Sequence, residues 1–226
     1  MISDLAALAG GLMRNLLAGA RLALFLPVRA LDFRVSPGQF AALASFNVLL
    51  AGFCSYLRNG EPGYFDYEAL PTILGQFALV LAASLVVAWI YRRGPLLLAL
   101  ATALVASDWL FEIVGTALHL SGETGLLDAR PVAFAALSVA YLVWAFVVMI
   151  RALLVVAGWQ MLRGVFASGT LAALFVAFVL LFPRAELWVA DDEDAEDAMP
   201  AGPSILDESV PGGQRTQRDP RLPPVA

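Results

Sequence analysis

Asp108, Glu112 and His119 are the residues whose types and spacing could do chemistry in this chain. All three fall in one apolar stretch, from about 95 to 120. A helix advances about 40° from position 108 to 112 and returns about 20° from 112 to 119, so the three share one narrow face. Ionisable side chains inside a membrane span are costly and by default suggest function. A proton relay or a cation site is the sharper expectation. Metal ligation would need further donors from other helices, for which Asn47, Gln39 and Gln76 are the candidates. The competing expectation is a structural polar seam, in which Asp108 or Glu112 pairs with an arginine from another segment and His119 reaches the interface. Two ionised carboxylates one helical turn apart would repel.

Other chemistries lack their residues. There is one histidine, and no G-x-S-x-G elbow, phosphate-binding loop or dinucleotide fingerprint. No catalytic, cofactor-binding or metal residues are therefore expected, no cofactor is implied, and the chain does not read as an enzyme. Cys54 is the one cysteine, so no intramolecular disulfide forms, and it is expected to be a buried hydrophobe. The glycine pairs at 10–11 and 212–213 carry no signal of their own.

The elements that must position the polar face are membrane helices. The 226 residues are 60% hydrophobic and 15% charged, with a mean hydropathy of +0.78. Soluble domains run nearer about 25% charged. The apolar excess is gathered into blocks of the length that crosses a bilayer core of about 30 Å. Five spans are expected, at about 39–57, 70–91, 95–120, 131–150 and 164–182. Ser36-Pro37 opens the first, and Pro183 stops the last. Residues 151–163, with Arg151 and Arg163 at their edges, are too short to span and read as a helical extension or a bent loop. Ala82-Ala83-Ser84 and the small residues at 164–169 should let helices approach closely.

Residues 4–26 read as an amphipathic helix, with Ser3 or Asp4 available as N-cap and Pro27 as its end. Arg14 and Arg21, seven apart, share a face. With Arg29 and Arg34 they form an interfacial basic set able to reach anionic headgroups. No cleaved signal peptide is expected, because the first basic residue, Arg14, follows an apolar stretch rather than preceding one. The expected fold is thus all-α: a polytopic bundle of five transmembrane helices plus an N-terminal interfacial helix. It divides into an interfacial segment at 1–35, the bundle at 36–183, and a disordered acidic, Pro-rich tail at 184–226.

All 14 basic residues are arginines, and their placement alternates. The N-terminal segment and the loops holding Arg92, Arg93, Arg151 and Arg163 are rich in them. The alternate loops carry single arginines, Arg58 and Arg130, outnumbered by acids. The positive-inside rule then puts the N-terminus in the cytoplasm and the tail on the other side. Lys-free, Ala- and Leu-rich usage suits a GC-rich bacterial genome, hence a bacterial inner membrane. The net charge of -5 and the acidic run after 190 exclude nucleic acid as a partner. They suit a membrane or periplasmic protein instead.

Three stretches resemble the N-terminal multi-span membrane region of bacterial peptidase C13, or legumain-like, proteins. One is 15–36, carrying Arg21-Leu22, Phe25, Pro27, Asp32-Phe33-Arg34 and Ser36. The second is Phe65-Asp66-Tyr67-Glu68-Ala69-Leu70-Pro71, and the third Pro183-Arg184-Ala185-Glu186-Leu187-Trp188. In the tail, the run 204–210 followed by Gln214 is similar to the linker that precedes the peptidase domain. The resemblance implies a membrane module without the peptidase. The family's His-Gly and nucleophilic Cys have no counterpart, since His119 precedes Leu120 and Cys54 lies inside a span. Span count and hydropathy also give a broader analogy to five-span Yip1-like proteins. The expected function is a non-catalytic anchor, scaffold or partner-binding subunit. The alternative is a small transporter or channel component using the Asp108, Glu112 and His119 face.

Overall fold

A computed structural model describes residues 2–123, 131–158, 160–181 and 186–190. They form the helices α1 (Ile2–Ala23), α2 (Pro37–Asn59), α3 (Ala69–Tyr91), α4 (Pro95–Glu123), α5 (Pro131–Ala157) and α6 (Met161–Leu181). A 3-10 turn at Ala30–Asp32 and two short strands, β1 (Gly63–Phe65) and β2 (Trp188–Ala190), complete them. The chain is an all-α membrane protein. Four helices are long and apolar enough to cross a membrane: α2, α3, most of α4 (Pro95–Gly122) and most of α5 (Val132–Ala157). The described apolar part of α6, Leu162–Ala177, is shorter.

Local chemistry sets the ends of these helices. Ser36 caps α2, its Oγ accepting the Gln39 N–H at 3.1 Å, and Pro37 fills the first helical position. α3 ends where Arg92 takes a left-handed conformation (φ 55°). The Arg93 N–H then returns to the Ala88 carbonyl at 2.9 Å. α5 runs without a break through residues 151–157 and stops at Gly158, whose φ is +72°. Residues 151–157 are therefore a helical extension of α5 that ends at Gly158, and Arg151 lies inside α5.

α4 is the hub. It packs against α1, α2, α3 and α5, and its residues 101–107 are buried in an unbroken run. α3, α4, α5 and α6 touch in cyclic order, making a four-helix ring. α1 and α2 lie against α4 from outside that ring.

Two expectations about the ends need correction. α1 stops at Ala23, three residues short of 26, because Phe25 adopts a left-handed conformation (φ 59°) and the Leu26 N–H bonds back to the Arg21 carbonyl at 2.8 Å. Nor does α1 stand apart from the bundle. It buries Asn15, Ala18, Leu22 and Ala23 and comes so close at Gly19 that a Cβ there would collide with the backbone carbonyl of Ala106. Of the small residues expected to allow close approach, Ala83, Ser84 and Ala167 are buried, whereas there is open space around Gly169. Within the tail, expected to be disordered from 184, the described residues 186–190 include a strand. β2 pairs antiparallel with β1 in the register Gly63 to Ala190, Tyr64 to Val189 and Phe65 to Trp188. Residues 191–226, which hold the acidic run and the expected linker, lie outside the described residues.

Candidate functional site

Asp108 lies midway along α4, about 20 Å from its Pro95 end at about 1.5 Å per residue. Its exposed surface faces two cavities that share Gln76, Phe77 and Asp108 as walls. The larger, about 200 Å³, lies within the α3–α6 ring and is otherwise mostly apolar, lined by Phe111, Tyr141, Met149 and Phe175 among others. The smaller, about 90 Å³, lies between α2, α3 and α4 and adds Asn47, Arg58 and Glu112. At about 30 Å³ per water molecule it has room for two or three. Asn47 Nδ2 donates to the Val105 carbonyl at 2.8 Å, while its Oδ1 is buried without a partner among the described residues. No described residue forms a hydrogen bond or ion pair with the Asp108 carboxylate. A polar, roomy site with unmet acceptors is one that water or a cation can occupy.

Glu112, one turn further on, is held. Arg58, at the end of α2, donates through Nη1 to Glu112 Oε1 at 3.0 Å and to Thr116 Oγ1 at 2.7 Å. Its Nη2 donates to Glu186 Oε2 at 3.1 Å. Ser55 Oγ donates to the same Glu186 oxygen at 2.7 Å and accepts the Trp188 N–H at 3.0 Å. Asn59 Nδ2 reaches the Trp188 carbonyl at 2.5 Å. Trp188 Nε1 bonds the Gly60 carbonyl at 2.9 Å, and its ring packs edge-on against Tyr56 at 5.4 Å. Arg58 thus clasps α2, α4 and the segment after α6 together. The Arg58 side chain is only 5% exposed, against 33% and 28% for its two carboxylates. Two carboxylates, Glu112 and Glu186, therefore flank one guanidinium, while Asp108 lines the same small cavity as Arg58 and Glu112 without pairing with either.

The structure brings Asp108 and Glu112 to the same small cavity, with Gln76 and Asn47 beside them, as their helical spacing requires. His119 is two turns beyond Glu112 and lines neither cavity. Gln39 is elsewhere, its Nε2 donating to the Leu8 carbonyl at 3.0 Å. Among the described residues no three His, Cys, Asp or Glu side chains gather as a metal site. Cys54 is buried. Of the basic set, Arg14 bonds the carbonyls of Leu31 (2.5 Å) and Asp32 (2.9 Å), and Arg34 that of Ala7 (3.1 Å). Arg21 and Arg29 are exposed.

Sequence reasoning missed a second anchoring point. Arg151 of α5 donates to the carbonyls of Arg21 (3.2 Å), Leu22 and Leu26 (2.6 Å), in and just after the last turn of α1. Its guanidinium also lies over the Phe25 ring at 5.4 Å. Trp144 Nε1 adds a bond to the Ala23 carbonyl at 2.9 Å. Local patterns cannot announce such a contact, because its partners are backbone atoms about 130 residues away. The row Gly11, Asn15, Gly19, at intervals of four, was the available sign that α1 packs closely.

The loop after α2 and the segment after α6 also meet in space. The Asp66 N–H bonds the Leu187 carbonyl at 3.0 Å, and Leu187 packs with Ala69 and Ile73 in a small cluster of its own. Set against protein-family models, curated proteins and solved structures, the chain matches none.

Proposed function

We propose that this chain is a non-catalytic module of a bacterial inner membrane, an anchor or scaffold that holds a membrane or periplasmic protein partner. In this reading α6 is the fifth span, the N-terminus is cytoplasmic and the segment after α6 is on the opposite side. α1 meets the cytoplasmic interface with Arg14 and Arg21 on its exposed face. The observation that carries the proposal is the Arg58 clasp, which spends the buried charge of the bundle on joining distant segments rather than on a reactive centre. The resemblance to the membrane region of C13-type peptidase proteins supports the same reading, and two of the stretches that carry it touch through the Asp66–Leu187 bond. An adjacent gene encoding a C13-type peptidase domain would add to it. The arrangement is tested with reporters fused at Gly63 and Ala226. Activity of both on the periplasmic side is expected, and cytosolic activity of either would refute it.

A second reading is a small transporter or channel component, and the unpaired Asp108 between two cavities favours it. Proteoliposomes decide between the two. The module reading expects no proton or monovalent-cation flux from the wild-type protein. Flux that is lost in a normally folded Asp108→Asn variant would establish transport instead.

A further inference from the structure

A groove at the end of the bundle where α3 turns into α4 is independent of both readings. Its polar end is built from three guanidinium-bearing residues: Arg92 and Arg93 in the turn, and Arg163 in the first turn of α6. Among the described residues no carboxylate lines it. Arg163 is positioned by its own contacts, donating to Gln160 Oε1 at 3.1 Å and to the Tyr91 carbonyl at 3.5 Å. Arg92 and Arg93 are exposed, and neither side chain donates to a described residue. The left-handed turn at Arg92 fixes where they leave the backbone. The walls that run from this basic end along the bundle are apolar and outward-facing: Trp89 is 79% exposed, Leu162 72% and Phe166 61%. The groove has a volume of about 920 Å³, near the top of the range of roughly 300–1,000 Å³ found for ligand pockets.

An anionic head and an apolar body are thus both called for, in that order along the bundle. Guanidinium groups match phosphate oxygens in geometry and charge. A basic pocket between membrane helices, with a tryptophan at its rim, suits a phospholipid headgroup. Free phosphate would satisfy the arginines but leave the apolar walls unused. We propose that this groove binds an anionic phospholipid, its phosphate between Arg92, Arg93 and Arg163 and its acyl chains along Trp89, Leu162 and Phe166.

The test uses the full chain in mild detergent and counts retained lipids by native mass spectrometry. The probes are phosphatidylglycerol and phosphatidylcholine of matched acyl chains. Phosphatidylglycerol is expected to be retained in preference. The Arg92→Gln/Arg93→Gln variant should weaken its binding about tenfold or more and leave phosphatidylcholine within about twofold. Unchanged phosphatidylglycerol binding in that variant would overturn the proposal. So would displacement of the lipid by millimolar inorganic phosphate, which would mark a site for the free ion. A second measurement needs no arginine variant. Phosphatidylglycerol brominated on its acyl chains should quench the emission that Trp89→Phe removes, and brominated phosphatidylcholine should not. Equal quenching by the two lipids would also overturn the proposal.

Discussion

Removing charges from the Arg58 clasp should cost different amounts depending on which partner is left behind. Stranding one member of a buried ion pair costs about 3–5 kcal/mol, whereas an exposed pair is worth about 0–1. The clasp lies between these limits and is lopsided: Arg58 is 5% exposed, its carboxylates about a third. Arg58→Met leaves Glu112 and Glu186 partly in contact with solvent, so the expected loss is about 2–3 kcal/mol. Glu112→Gln/Glu186→Gln leaves the more buried guanidinium with no carboxylate, and the expected loss rises to about 3–5 kcal/mol. Each single Gln variant keeps one carboxylate on Arg58 and should lose only about 1 kcal/mol. Equilibrium unfolding of the purified protein in mixed micelles, with increasing SDS fraction, measures all four. If Arg58→Met proves costlier than the double Gln variant, the argument from unequal burial is wrong. If neither loses more than about 1 kcal/mol, the clasp behaves as a surface pair and does not hold the segments together.

Gly10 and Gly19 in α1 should respond oppositely to alanine. At Gly10 nothing lies within 4 Å of a new Cβ, so helix propensity should stabilise the variant by about 0.5–1 kcal/mol. Gly19→Ala must push α1 off the Ala106 carbonyl and should lose about 1–3 kcal/mol in the same unfolding assay. Arg151→Gln should release the end of α1, and faster hydrogen exchange at the amides of Leu24, Phe25 and Leu26, with little change in α6, is the expected signature. Substituting Phe25 with Ile should cost about 1–2 kcal/mol, because a β-branched residue resists the left-handed conformation there; a neutral result would remove strain from the account of that turn.

What could be read from the sequence followed from short-range rules. Block length and hydropathy located α2, α3, α4 and α5 to within a few residues at most ends. Helical spacing put Asp108 and Glu112 on one face, and they do share a cavity. The extent of α5 past Ile150 was not legible, because Arg151 looked like a boundary when considered alone. Its charge is accommodated by backbone carbonyls of α1, and nothing near Arg151 in the sequence signals that. Arg58 likewise read as a lone loop arginine, since one of its partners, Glu186, is 128 residues away. Three glycines of α1 looked alike, and only the Gln39 side chain of α2 behind Gly11 and the α4 backbone behind Gly19 tell them from Gly10. Periodicity reports which face of a helix is apolar. It does not report which neighbour covers that face, and the candidate site is built from such neighbours.

The pairing of β1 with β2 changes where the polypeptide leaves the bundle. α6 is the last helix, yet the residues after it are tied back to the α2–α3 loop through Trp188 and Val189. A tug on the chain beyond Ala190 is therefore felt first at Ser55, Asn59 and the two strands, in a geometry that must unzip hydrogen bonds before any load reaches α6. Tension or docking outside the membrane would thus be transmitted along α2 and α4 toward the Asp108 cavity, and α6 would be spared.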